Sequence, residues 1–408
     1  MRQPSGLSLI VAATGVAAAA GYLVIWLVPR QIGLDAYYSF GLFWAAMYFV
    51  VGTLSGLQQE VARATAPVSA DRPRRGSTRN FAFVFSAAVF ATVMVTAPLW
   101  VGTVFPTGGW ALVLPLAVAT SSYALVAVLA GTLYGLSGWR ELAAMVVIDA
   151  LLRLVAVVAV ASVTSDAAAL AWAAALPFLL AIAVLWPGIR RKVVGAAALD
   201  VELRALTWNV ARTVLAAAST GVLVSGLPVV IGIAAGDTPR ALTAALFLAV
   251  MITRAPVIVV VMSLQSYLLV KFRDQRAPLG PTLWRMETLV LGGGALLALV
   301  AAVIGPGVFE LLYPGQVELP GWFYAVLVLS SALIGGLIVT GSAVLAVGMH
   351  RAYTLGWVVA ALVTIGSFAL NGDLLTRVAI AVVAGPVAGS AVQFGFLLAR
   401  HRRGLRLG

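Results

Sequence analysis

A chain of 408 residues in which 62% are hydrophobic and only 10% charged is not a string of soluble domains, where roughly 25% of residues carry charge. Its net charge of +12 would suggest nucleic acid in a soluble protein; in a membrane protein it marks topology, so no nucleic-acid partner is implied. With no Cys, a disulfide framework and a thiolate metal site are both excluded.

A bilayer-spanning helix needs about 20 mostly apolar residues. Twelve such runs follow one another, at approximately 7–28, 37–62, 80–104, 111–136, 141–163, 167–187, 206–235, 240–270, 286–312, 321–347, 353–371 and 375–399. The first is followed by Pro29-Arg30 without a small-residue cleavage site, so it reads as a retained span. These runs predict an all-α polytopic membrane protein. Among the basic residues only Lys192 and Lys271 are Lys, which with abundant Ala, Val and Gly points to a high-GC bacterial coding bias.

The charges support the parse. With the N-terminus in the cytoplasm, the inner segments hold Arg2; Arg63, Arg72, Arg74, Arg75 and Arg79; Arg140; Arg190, Arg191, Lys192 and Arg204; Lys271, Arg273, Arg276 and Arg285; Arg351; and Arg400, Arg402, Arg403 and Arg406. That is twenty of the 26 basic residues, against three in the outer loops (Arg30, Arg240 and Arg377). The bias implies a multi-pass protein of the bacterial cytoplasmic membrane with both termini in the cytoplasm. All the outer loops are too short for a folded domain.

Landmarks recur half a chain apart. Phe40 and Leu57-Gln58 match Phe247 and Leu264-Gln265 at an offset of 207, Pro106 matches Pro314 at 208, and Gly131 and Gly138 match Gly341 and Gly348 at 210. Two six-helix halves, 1–195 and 196–408, are expected, and six being even, the repeat is parallel.

Polar residues within the runs are the candidate site. Aromatic faces suit sugar rings, which makes Trp26, Trp44 and Tyr48 candidate contacts; the structural alternative is packing and interfacial anchoring. Glu60, in a polar helix end, and Asp149 are candidates for proton or sodium coupling, although Asp149 and Arg153, at i and i+4, can also simply neutralise each other. Arg212 stands on a stripe with Asn209, Ala216 and Ser219, which fits either a hydrated wall or an Arg snorkelling to the inner interface. Arg254 lies roughly 20–25 Å along its helix from both Arg240 and Lys271, beyond the reach of snorkelling. A guanidinium at such depth costs roughly 2.5–3.5 kcal/mol, so it should face a wet cavity or be paired with a carboxylate. Pro256 should bend the helix there, and Thr243 and Gln265 share the face of Arg254.

Several signatures are missing. No G-x-x-x-x-G-K-[ST] run is present, so the chain binds no ATP through a P-loop. His350 and His401 form no metal constellation, and no metal or other cofactor is expected. Asp200-Val201-Glu202 is the nearest approach to a D-x-D pair, and no outward catalytic carboxylate accompanies it, which counts against a polytopic glycosyltransferase or polymerase. Asp71-Arg72-Pro73-Arg74-Arg75 has the look of the major facilitator signature but lacks its glycines, with Ala66 and Pro73 in their places.

The chain resembles the multidrug/oligosaccharidyl-lipid/polysaccharide (MOP) flippase superfamily, and within it the Wzx-type flippases of lipid-linked oligosaccharides. The resemblance rests on the twelve spans, the two halves, the short outer loops and the basic middle segment. Gly33-Leu34-Asp35-Ala36-Tyr37, Gly56-Leu57-Gln58 and Gly131-Thr132-Leu133-Tyr134-Gly135-Leu136 add to it. It implies a V-shaped pair of bundles with a central cavity, and no enzymatic step. Its passenger would be a polyprenyl-(pyro)phosphate-linked saccharide moved from the inner to the outer leaflet for cell-surface polysaccharide assembly. Arg254, Arg212 and Arg30 would meet the anionic head group with Asn209 and Gln265, membrane lipid would hold the tail, and a polysaccharide polymerase or glycosyltransferases would be partners. The competing reading is an ion-coupled drug or metabolite antiporter, multidrug-extrusion-like or of the major facilitator type.

Overall fold

The computed structural model describes residues 6–67, 78–194, 197–199, 203–273 and 279–406. The Asp71–Arg75 run, Arg2, Arg276 and Asp200-Val201-Glu202 fall outside the described residues, as do the side chains of Pro256, Gln265 and His401. Among the described residues fourteen α-helices follow one another: α1 (Gly6–Ile32), α2 (Leu34–Ala64), α3 (Thr78–Val104), α4 (Trp110–Gly135), α5 (Trp139–Ala161), α6 (Ala167–Ala175), α7 (Pro177–Val193), α8 (Leu203–Val224), α9 (Leu227–Ala234), α10 (Arg240–Arg273), α11 (Leu279–Leu312), α12 (Gly321–Ala346), α13 (His350–Gly366) and α14 (Leu374–Arg406).

Among the described residues, ten helical spans are long and apolar enough to cross a membrane, with α6 and α7 counted as one, and the bent pair α8–α9 makes eleven. The 34-residue α10 stands where the eighth apolar run is expected and continues unbroken past Pro256. The protein is thus an all-helical membrane protein, with one small exception. Thr65–Pro67 (β1) pairs antiparallel with Ala197–Leu199 (β2), tying together the segment after α2 and the segment before α8.

Contacts group the chain into Met1–Gly221 and Val222–Gly408. The halves expected from the repeat meet earlier, at the basic segment before α8. Most of α8 goes with the first unit because Leu206 and Val210 are buried among Leu54, Leu57, Val61 and Ala127. Gly56 permits this, since a Cβ there would sit 2.8 Å from the Thr213 backbone.

The two units share an internal plan. In the first, α4 is the central helix, packed by α2 and α3; in the second, α12 is central, packed by α10 and α11. Both are 26 residues long and are the most buried spans, with 72% and 78% of their apolar window inside. Such helices read as apolar all round because the protein, rather than lipid, surrounds them.

The turns repeat as well. After α4, Gly138 N–H donates to the Leu133 carbonyl at 2.7 Å; after α12, Met349 N–H donates to the Val344 carbonyl at 3.0 Å. Ser137 (φ 56°) and Gly348 (φ 79°) hold the left-handed position between them. The structural register here is therefore 211, one more than the Gly138–Gly348 match suggests, because a serine takes the glycine's place in the first copy.

Candidate functional site

In the first unit a cavity of about 370 Å³ opens among α1, α2, α4, α5 and α7. The sequence-predicted Trp44, Tyr48 and Asp149 share its wall with Gln58, Tyr123 and Arg153. The rings at Phe40, Trp44 and Tyr48 stack up one face of α2, with centroids 5.7 and 4.9 Å apart, as i, i+4 spacing requires. Trp44 is buried, and Tyr48 is half-buried.

Arg153 forms the floor. It is 3% exposed and donates to Asp149 Oδ1 at 2.5 Å and to the Ala174 carbonyl, while its guanidinium lies 3.9 Å from the centre of the Phe178 ring. An ion pair, a carbonyl and a π-face together compensate the buried cation. The self-neutralising reading of Asp149 and Arg153 therefore holds, with Asp149 still 21% exposed toward the cavity. The chamber can accept a ring and offers it a partly neutralised carboxylate.

Other predicted residues lie elsewhere. Glu60 is engaged by Arg63 at 3.0 Å and by the Thr213 hydroxyl at 3.3 Å, a helix-end pairing. Arg30 is exposed and stacks on Trp26 at 5.5 Å. Arg212 is exposed on α8, and Asn209 half-buried three residues before it.

Arg254 is in the second unit, on α10. It does not face a wet chamber here: it is 3% exposed in a small crevice with Leu223, Leu227, Thr364, Val382 and Pro386. Nor does the carboxylate alternative hold, since no acidic residue among the described residues lies within 4.0 Å of it. Its Nε and Nη1 have no hydrogen-bond partner among the described residues, and neither has the Thr364 hydroxyl lining the same crevice. Unsatisfied buried donors of this kind each cost about 1–3 kcal/mol, more when charged. The crevice thus stores a demand for an acceptor.

Sequence reasoning missed two residues. Thr364, in an apolar run, gives no signal of its own. Glu287 is the second residue of the apolar run read from 286, where a carboxyl looks like an ordinary span end; α11 begins at Leu279, which places it within the helix at 5% exposure. The charged Arg285 hides that start from a hydropathy reading. A second cavity, of about 300 Å³ between α10, α11 and α12, is walled by Leu297, Val300, Ile304 and Tyr324 and is almost wholly apolar.

No protein-family model matches the chain. The uncharacterized protein Rv3630 of Mycobacterium tuberculosis strain H37Rv is 30% identical over 389 residues, covering 93% of this chain and 89% of its own length. The uncharacterized protein Rv1510 of the same strain is 29% identical over 392 residues, covering 95% and 90%. Among solved structures, the lipid II flippase MurJ in an inward closed conformation aligns with a TM-score of 0.69 at 12% identity, covering 95% of this chain and 87% of that one. An inward-facing multidrug resistance MATE family transporter of the MOP superfamily aligns at 0.65 and 14% identity, covering 95% and 94%. At these identities the likeness establishes the fold: this is the fold of MOP superfamily transporters.

Proposed function

We propose a transport function for this chain, which belongs to the family of the uncharacterized Mycobacterium tuberculosis protein Rv3630: it moves a polyprenyl-(pyro)phosphate-linked saccharide from the inner to the outer leaflet by alternating access. The observation that carries this reading is Arg254, a guanidinium deep in α10 whose Nε and Nη1 lack acceptors. Asp149 neutralises Arg153, which leaves Arg254 as the buried cation among the described residues that has no counter-charge. A planar fork of donors suits a phosphate, which can accept two bonds from it. Opening the crevice would let the head group take those bonds, with the Thr364 hydroxyl beside it.

Arg212, Asn209, Gln265 and Arg30 are further head-group residues in this proposal, and Trp26, Trp44 and Tyr48 are its sugar-contact aromatics. Polymerase or glycosyltransferase partners and a Wzx-type role in polysaccharide assembly belong to the same reading. The fold shared with a lipid II flippase supports it.

The test is transport of a fluorescent polyprenyl-pyrophosphate glycan in proteoliposomes. Arg254→Ala should reduce transport by about 100-fold, a loss of roughly 3 kcal/mol, and Arg254→Lys should recover part of it as a point charge without the fork. Unchanged transport in Arg254→Ala sinks the anion assignment.

A second reading has one observation in its favour: the carboxylate of Asp149 beside Trp44, Tyr48 and Tyr123 suits an organic cation. An ion-coupled antiporter would transport such a cation in the same vesicles and lose it in Asp149→Asn, with Arg254→Ala unaffected.

A further inference from the structure

Glu287 is the remaining buried charged residue among the described residues, and the transport reading above gives it no role. Its Oε1 has no hydrogen-bond partner among the described residues. The other oxygen abuts the α12 backbone at Gly336, where a Cβ would lie 2.8 Å from Oε2. Gly336 is thus a notch cut for the carboxyl. One turn along α12, Thr340 Oγ1 donates to Gln393 Oε1 at 2.6 Å, and Gln393 Nε2 is itself buried without a partner among the described residues. A polar layer therefore crosses α11, α12 and α14, beside an apolar cluster that includes Leu268, Phe272, Leu283 and Val339.

No described neighbour supplies a counter-charge. On α12 the titratable group is Tyr324, packed at Gly305 far along α11. From α10 come Arg254, in its own crevice, and Lys271, which forms no ion pair with Glu287. Tyr353 of α13 packs at Gly341, His350 and Arg351 are exposed, and Arg377 and Arg400 of α14 donate to the Phe368 and Val347 carbonyls. On α11 itself Arg285 is exposed and Glu310 accepts from Gly315 N–H.

A carboxylate enclosed without a cation recovers only the Thr340 backbone N–H in place of its lost hydration, and taking up one proton removes the rest of that penalty. An ionisable group buried among the helices of a transporter marks an ion path. We propose that Glu287 is a proton-binding site of the second unit: Oε1 carries a proton while α11 is packed against α12, and gives it to water when the Gly336 notch opens. Its use in coupling rests on the transport reading; its proton does not.

Two measurements separate the claims. In difference infrared spectra of the purified full chain across a pH titration, the wild type should show a protonated-carboxyl band that persists after exposed carboxylates have ionised and that vanishes in Glu287→Gln, an uncharged isostere expected to fold. Identical spectra from the two proteins would overturn the site. In proteoliposomes, Glu287→Gln should lower pH-gradient-driven transport of the lipid-linked glycan by roughly 5- to 150-fold, the usual size of a coupling between sites. Glu287→Asp should keep the pH dependence. A Glu287→Gln protein as pH-responsive as wild type, or one driven by sodium, overturns the coupling role. Since the infrared arm uses no passenger, failure to move any lipid-linked glycan sinks the transport reading alone.

Discussion

Of the three buried charges among the described residues, one is compensated and two are not. Arg153 has a carboxylate, a carbonyl and an aromatic face; Arg254 and Glu287 have no counter-ion among the described residues. The first is structural by this criterion, and removing one partner should cost stability. Asp149→Ala should destabilise the protein by about 3 kcal/mol, the low end for breaking a buried pair, because the Ala174 carbonyl and the Phe178 ring remain. Thermal melting in detergent checks this, and Asp149→Ala combined with Arg153→Met should recover most of the loss. A destabilisation no smaller in the double variant would mean that Arg153 is held by the carbonyl and ring alone. The Asp149–Arg153 pair was legible in the sequence because its spacing is local. The enclosure of Arg254 was not, since its crevice is built from Leu223, Thr364 and Val382, residues far apart along the chain. Glu287 was hidden for another reason: hydropathy registers average composition, and with the charged Arg285 setting the apparent start of the run at 286, a carboxyl in the third turn of α11 looks like a span end.

At the scale of elements, backbone contacts between helices are set by glycine. A Cβ at Gly389 of α14 would lie 2.6 Å from the Gly356 carbonyl of α13, and one at Gly131 of α4 would lie 2.7 Å from the Gln58 carbonyl of α2. Small-xxx-small spacing at Gly131-Gly135 and Gly385-Gly389 marks these seams from sequence, and the geometry bears it out. Gly389→Val should separate α13 from α14, reducing the folded yield seen by size-exclusion chromatography, whereas Gly395→Val, with open space around it, should not. The repeated turn offers a finer test. Ser137 holds φ 56° where the second copy has Gly348 at 79°. A left-handed L-residue costs roughly 1–2 kcal/mol, and glycine's extra unfolded-state freedom takes back about 0.5–1. Ser137→Gly should therefore stabilise by about 0.5–1 kcal/mol and Gly348→Ser destabilise by a similar amount, both read from melting curves. Most helix positions were legible because each run satisfies a bilayer; the early start of α11 and the break between α8 and α9 were not. The β1–β2 ribbon and the attachment of α8 to the first unit were not, because both depend on pairings over more than a hundred residues that leave no local period.

For the molecule as a whole, the count of crossings turns on α8–α9. Its two pieces break between Val224 and Leu227, with Pro228 near the start of the second. If the pair crosses, Asp237 lies outside and the segment holding Lys271, Arg273, Arg276 and Arg285 lies inside. If it dips in and returns, everything up to the C-terminus changes side, and those four cations face outward. Each cation beside the anionic inner surface is worth about 1 kcal/mol, so crossing is favoured by roughly 4 kcal/mol from this segment alone, and Arg400, Arg402, Arg403 and Arg406 add to it. The lack of Cys makes the test direct, because any single introduced thiol is the only one. Ser165→Cys, Asp237→Cys and Asn371→Cys, at exposed loop positions, should react with a membrane-impermeant maleimide in intact cells. Ser137→Cys and His350→Cys should react only after the membrane is opened. A re-entrant α8–α9 would leave the 165 and 137 results unchanged and invert those at 237, 350 and 371, so the site of any inversion identifies the helix that fails to cross.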